Sequence, residues 1–141
     1  LLIAGEFYAS RDKYINLIQH LGLQDDIILH DHFIPDSEVA NYFSAADCVV
    51  LPYKTATQSG VTQIAYHFEK PMIVTNVGGL AEIVPNGKAG YVVEPDEKQI
   101  ADAIVDFFDN NRQNEFNEGL LFEKKKYAWS NMTRSVKKAA E

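Results

Sequence analysis

Cys48-Val49-Val50-Leu51-Pro52-Tyr53-Lys54-Thr55-Ala56-Thr57-Gln58-Ser59-Gly60-Val61 carries the chain from an apolar run, through a polar loop, into a helical stripe. The run Cys48–Leu51 is apolar at both side-chain parities. That is the pattern of a strand covered on both faces, which belongs to parallel sheets. The stripe Val61, Ile64, Ala65 and Phe68 recurs at three and four residues, the period of an amphipathic helix. A strand, a polar turn and a helix make up half of a βαβ unit.

The same alternation extends in both directions. Short apolar runs recur at Leu1–Ala4, Ile27–Leu29, Met72–Val74 and Tyr91–Val93. Between them lie helical stripes: Tyr14, Leu17, Ile18 and Leu21; Val39, Tyr42 and Phe43; and Ile100, Ile104, Phe107 and Phe108. Asp36, after Pro35, is placed to cap the second of these helices. Strands alternating with helices predict an α/β fold, a Rossmann-like open parallel sheet with helices on both faces. Ligands of such sheets bind beyond the carboxyl ends of the strands. The informative residues are therefore those following each run.

Composition narrows the function classes. The 141 residues are 46% hydrophobic and 23% charged, the make-up of a globular domain rather than a disordered tail. Thirteen Lys and Arg against 20 Asp and Glu leave a net charge of −7. Broad attraction to nucleic acid or anionic lipid is not expected from that balance. Cys48 is the only cysteine, so no internal disulfide forms, and its apolar strand makes it an inert core residue. No apolar stretch reaches the roughly 18–20 residues of a membrane-spanning helix. Leu1–Gly5 lacks the basic flank and cleavage site of a signal peptide. The chain opens on Leu1, directly in an apolar run, and we expect a piece of a longer protein. Asn110–Glu118 is polar, Phe122–Tyr127 is charged and aromatic, and Trp129–Glu141 reads as an amphipathic helix. This C-terminal third is expected to pack as helix at the sheet edge or to dock elsewhere.

Two loops could carry chemistry. Thr55–Gly60 opens a helix, whose first backbone N–H groups lack partners and sit at the positive end of the helix dipole. Such a place suits phosphate, with Ser59 adding a hydroxyl and Gly60 allowing close approach. The same residues also fit a simpler role, in which Ser59 caps the helix. Thr75-Asn76-Val77-Gly78-Gly79-Leu80-Ala81-Glu82 follows the next strand. Its paired glycines permit a tight turn, and Glu82 is either a sugar-binding carboxylate or a solvated cap. Asn86-Gly87 is a structural turn signal. His30 and His32 share a strand face, yet no further ligands stand at metal-binding spacing, and a hydrogen-bonding role is favoured. There is no Gly-x-Gly-x-x-Gly, no phosphate loop ending in Gly-Lys-Ser/Thr and no Gly-x-Ser-x-Gly. Dinucleotide reductases, NTPases and serine hydrolases are disfavoured accordingly.

Taken in order, several segments resemble one family. They are Leu2-Ile3-Ala4-Gly5, Leu21-Gly22-Leu23, Phe33-Ile34-Pro35-Asp36, Ala45–Pro52, Lys70–Val84, and Gly87 through Pro95-Asp96. The chain resembles the C-terminal domain of GT-B glycosyltransferases, more narrowly glycosyltransferase group 1 of the family 4 type. The resemblance implies that residues 1–141 are a single domain, the nucleotide-sugar-binding half of a GT-B fold. That domain would be truncated at its N-terminus, with the acceptor domain absent. It implies transfer of a sugar from a nucleotide-diphosphate sugar to a saccharide or glycolipid acceptor, with retention and without a metal or other cofactor. The full-length protein would work in the cytoplasm, peripherally at the inner membrane face in polysaccharide assembly.

By the same resemblance, the donor diphosphate falls to Gln58, Ser59, Gly60 and Val61. The donor sugar falls to Thr57, Gly78, Gly79 and Glu82, and the base to His32 and Phe33. The family places two glutamates around the phosphate loop, and Ala56 and Ile64 stand at those positions here. That departure keeps an alternative open: a non-catalytic nucleotide-sugar-binding or protein-interaction domain, the latter using Phe122–Glu141.

Overall fold

In a computed structural model, residues 1–7 and 9–125 are described, and they fall into two compact units, Leu1–Asn41 and the chain from Tyr42 onward. The Trp129–Glu141 segment expected to be helical lies outside the described residues.

The first unit contains β1 (Leu2–Ala4), α1 (Arg11–His20), β2 (Ile28–His30) and the beginning of α2 (Asp36–Ala45). β1 and β2 pair in parallel with Ile3 opposite Leu29. The Gly5 N–H extends the ladder to the His30 carbonyl at 3.0 Å. α1 ends where Gly22 turns to φ +67 and the Leu23 N–H returns to the Ile18 carbonyl at 3.0 Å. This left-handed helix stop favours glycine, which has no Cβ to strain. Arg11 pairs with Asp31, and that guanidinium holds the Asp31 carboxyl below the usual carboxylate range. Asp36 is the first residue of α2 rather than a residue preceding it, so it adds negative charge to the first turn.

A strand covered on both faces does not describe β1, where Leu2 and Ile3 are each 39% exposed. Two short strands and their helices cannot enclose an apolar interior of their own. The predicted α1 stripe Tyr14, Leu17, Ile18 and Leu21, with Ile3 and Leu29, instead lines an open cavity of about 490 Å3.

The second unit holds β3 (Val49–Leu51), α3 (Gly60–His67), β4 (Met72–Thr75), α4 (Leu80–Ile83), β5 (Gly90–Val93), α5 (Glu97–Asp109) and α6 (Gln113–Lys124). Its sheet runs β3-β4-β5, all parallel, with Val50 opposite Ile73 and Ile73 opposite Tyr91. Every residue of the central strand β4 is buried, as the two-parity apolar pattern predicts. Leu51, Ala65, Met72, Val74, Leu80 and Leu120 belong to one core. α3 presents Thr62, Ala65 and Tyr66 to that core, while Val61 and Ile64 are half-buried. Thr62 is tolerated there because its hydroxyl donates to the Ser59 carbonyl at 2.6 Å.

The Asp96 carboxylate caps α5 by accepting from the Gln99 N–H at 2.9 Å. Ala103 and Phe107 are buried on α5, but Phe108, expected on the same stripe, is 55% exposed. Adjacent helix positions diverge by about 100°, so α5 turns only one of the two rings inward. The inward ring, Phe107, faces Phe116 of α6 at 6.2 Å. α6 is helix as expected for this part of the chain; it runs from the polar Asn110–Glu118 stretch into the charged, aromatic one, with Phe116, Leu120 and Glu123 buried. Gly119 brings α6 onto the backbone at Lys88, where an added Cβ would lie 1.9 Å from the Lys88 carbonyl oxygen. At the far end, Lys124 Nζ donates to the His67 carbonyl at 3.1 Å and to Glu69 at 2.9 Å. It closes the C-terminus of α3, where positive charge is favoured.

Candidate functional site

The loop after β3 reaches α3 through Ser59, whose backbone is extended at φ −136 and ψ 121. Ser59 occupies the capping position, but its side chain makes no capping hydrogen bond. Its hydroxyl lies 3.3 Å from the Tyr53 hydroxyl and is 92% removed from solvent with the rest of the residue, which is 8% exposed. The simple capping role for Ser59 therefore does not hold. The helix's first N–H groups, at Gly60 and Val61, have no carbonyl one turn earlier to receive them. No acidic residue stands in the first turn of α3, so the positive end of its dipole is unopposed there.

The loop after β4 meets this one directly. The Gly79 N–H donates to the Thr57 carbonyl at 3.0 Å. Gly78 has φ +53, and a Cβ placed on it would stand 1.9 Å from the Ala56 carbonyl oxygen. The glycine pair thus supplies both a left-handed turn and contact between two backbones. Thr75, buried at the end of β4, donates to the Tyr53 carbonyl at 2.6 Å and so ties the two strand ends together. The Tyr66 hydroxyl of α3 donates to the Ile83 carbonyl of α4 at 2.6 Å. Beyond β5, Asn76 Nδ2 donates to Glu94 at 3.0 Å.

Thr57, Gln58, Ser59, Gly60, Val61, Gly78 and Gly79 are consequently gathered at the carboxyl ends of β3 and β4. Glu82 follows within α4, exposed, and its carboxylate has no hydrogen bond or ion pair among the described residues. His32 and Phe33 belong to the first unit, just past β2, with Phe33 67% exposed and the His30 and His32 rings stacked at 5.9 Å. Ala56 is half-buried with its carbonyl turned to Gly78, and Ile64 is half-buried on α3. Asn86 is structural, its Oδ1 accepting from the Val92 N–H at 2.9 Å while Gly87 turns at φ +74. Burial pushes the Cys48 thiol up to about 11, with Asp47 adding to it, so the sulfur is a neutral thiol near pH 7. Among the described residues no group of three or more His, Cys, Asp or Glu is placed to hold a metal ion, and no helix is long and apolar enough to cross a membrane.

Tyr53, Thr62 and Thr75 shape the site and are not among the candidate site residues read from the sequence, although Thr75 opens the loop Thr75–Glu82 named there. Thr62 had a local signal, standing three residues after Ser59 where a hydroxyl can reach back to a carbonyl. Thr75 had none, because its bond to the Tyr53 carbonyl joins strand ends 22 positions apart; the Tyr53 contact with Ser59 spans only six residues but lies in an irregular loop without a side-chain period.

Similarity to known proteins follows the same pattern. The profile of the family described as glycosyl transferases group 1 matches residues 1–110. D-inositol 3-phosphate glycosyltransferase of Paenarthrobacter aurescens is 30% identical over 112 residues, covering 78% of this chain and 27% of that protein. The corresponding enzyme of Catenulispora acidiphila is 28% identical over 131 residues, covering 90% of this chain and 31% of its own. The chain thus spans less than a third of the length of these relatives. Among solved structures, sucrose-phosphate synthase from Thermosynechococcus elongatus superposes with a TM-score of 0.80 at 22% identity, covering 99% of this chain and 37% of the other. Anabaena HepE in complex with UDP and glucose gives 0.73 at 18% identity, covering 99% and 40%. The parallel α/β architecture is that of the Rossmann-like half of such enzymes. With the profile spanning most of its length and the fold agreeing, this chain belongs to the group 1 glycosyltransferases.

Proposed function

We propose that this chain is the donor-binding half of a glycosyltransferase that transfers a sugar from a nucleotide-diphosphate sugar to a saccharide or glycolipid acceptor. The observation that carries the reading is the junction of the two loops, with Gly79 bonded to Thr57 beside the N-terminus of α3. HepE has been crystallised with UDP-glucose as well as with UDP, and a pneumococcal O-GlcNAc transferase with UDP and GlcNAc. Those complexes support a nucleotide-sugar donor for this chain too. The donor diphosphate is assigned to the backbone of Gln58, Ser59, Gly60 and Val61, and the sugar to Thr57, Gly78, Gly79 and Glu82. In the first unit, the exposed His32 and Phe33 rings offer flat faces for a base.

Chemically, the leaving nucleoside diphosphate gains negative charge as the glycosidic bond breaks. Preorganised N–H groups at a helix N-terminus stabilise that charge without reorganising, and most effectively where water is excluded. Retention of configuration, independence from metal and peripheral membrane association are part of the proposal through the family. The test is sugar transfer or hydrolysis of UDP-, GDP- and ADP-sugars by the purified full-length protein. Activity that falls on Ser59→Ala or Glu82→Ala supports the proposal, and activity indifferent to both counts against the site.

A second reading rests on one observation: neither Ala56 nor Ile64 supplies a carboxylate, and α3 has no acid in its first turn. In this reading the domain binds nucleotide sugar without catalysing transfer. Nucleotide-sugar binding without turnover by the full-length protein would favour it.

A further inference from the structure

We propose that Tyr53 is a positioning residue of the donor site, acting through Ser59 on the diphosphate. The inference rests on the donor-site reading above and deepens it. Tyr53 is held at two points. Its carbonyl accepts from the buried Thr75 hydroxyl at 2.6 Å, and its own hydroxyl stands 3.3 Å from Ser59 Oγ. Ser59 is fixed in turn from its backbone side, where its carbonyl accepts the Thr62 hydroxyl at 2.6 Å. Its hydroxyl is left with Tyr53 as partner, because it takes no part in capping α3.

A serine hydroxyl has one proton to give and two lone pairs to receive with. When it accepts from Tyr53, its proton is directed away from Tyr53 and is available to an anion at the start of α3. Hydrogen bonds in such a chain polarise one another, so the Tyr53 hydroxyl strengthens the bond that Ser59 donates. Without Tyr53, the Ser59 proton has no fixed direction and must be ordered when the ligand binds. The effect is specific to a phosphate at this helix end, and a ligand without phosphate gains nothing from it.

The experiment is titration of the purified protein with UDP and GDP, and with uridine and guanosine, followed by calorimetry. The proteins compared are the parent, Tyr53→Phe, Ser59→Ala and the double variant. We expect Tyr53→Phe to weaken binding of the nucleoside diphosphate about 5- to 10-fold, the worth of one neutral hydrogen bond. Nucleoside binding and the melting temperature without ligand should stay as in the parent. The double variant should lose no more than Ser59→Ala alone, the mark of two residues acting through one interaction. Unchanged diphosphate affinity in Tyr53→Phe, or equal losses for nucleoside and diphosphate, would overturn the assignment. Should Tyr53→Phe fail to fold, Ser59→Ala carries the test alone, and parent-like diphosphate affinity there overturns it. A parent protein that binds neither diphosphate at millimolar concentration overturns the donor-site reading itself. A parent that binds, beside a Tyr53→Phe variant that binds equally well, overturns only the role given to Tyr53.

Discussion

The Gly79 N–H and the Thr57 carbonyl meet at 3.0 Å, and that bond makes one surface out of two loops. The loops follow neighbouring parallel strands, β3 and β4, whose pairing brings their carboxyl ends side by side. A sheet that reads only as alternating apolar runs thereby acquires a site, because the polar turns emerge on one edge.

The glycine next to this bond allows the sharpest prediction. Gly78→Ala introduces a Cβ at φ +53, within 1.9 Å of the Ala56 carbonyl oxygen. The left-handed conformation costs about 1–2 kcal/mol, and crowding in packed surroundings roughly 1–3 more. Urea denaturation should show a loss of about 2–5 kcal/mol, together with loss of diphosphate binding. A variant as stable as the parent would mean that the loops are not held together here.

Phe116 should be the most costly truncation on α6. It is 2% exposed, edge-on to Tyr91 at 4.9 Å and facing Phe107. Phe116→Ala is expected to lose about 3–5 kcal/mol in the same assay, the range for a buried ring replaced by a cavity. A loss under about 1 kcal/mol would place α6 outside the cooperative core.

Strands were legible to within a residue at either end, because Met72–Val74 and its counterparts are apolar at every position. For α6 the helical state was legible but its bounds and buried face were not, since Phe116, Leu120 and Leu121 stand among polar neighbours and only Gly119 tells how closely the helix approaches Lys88. The two separate parallel pairings were hidden too, as sequence shows which runs form strands but not which of them are neighbours. For the site, the glycines and the start of α3 were readable as turn and helix signals. The bond from Thr75 to the Tyr53 carbonyl joins positions 22 apart, which no local pattern reports; the Tyr53–Ser59 contact spans six residues of an irregular loop, which has no side-chain period to announce it. Ser59 shows the limit most clearly: its type and place spell a cap, while its hydroxyl is turned to Tyr53.

A pH series should identify the Tyr91–Asp106 pair. Burial raises the Tyr91 hydroxyl to about 12, with its bond to Asp106 contributing. An unfolded tyrosine titrates near 10, so this contribution to stability is present below about pH 10 and is lost between there and about pH 12. The Asp106 carboxyl is held below the usual range, first by the Tyr91 hydroxyl and also by Asn110 and Arg112. Its contribution is present above the ordinary carboxylate pKa of about 4 and fades as pH falls through its depressed value. Tyr91→Phe should therefore flatten the alkaline decline and reduce the acid dependence of the urea midpoint. Parallel pH curves for parent and variant would contradict both assignments.

Cys48 should be slow to react. With its thiol raised to about 11, the thiolate fraction at pH 8 is about two orders of magnitude below that of a free cysteine. Alkylation of the native protein at pH 8 should be slower by about that factor than in urea. Equal rates would show that the thiol is open to solvent.

The central claim is that one donor site is built from the loops after β3 and β4. It is tested most directly by amide-resolved NMR of the isotopically labelled protein titrated with UDP, GDP and ADP. We predict shifts concentrated at Thr57, Gly60, Val61, Gly78 and Gly79, moving together along one binding curve. Binding curves that leave these amides unmoved, or no response to any of the three at millimolar concentration, would contradict the claim.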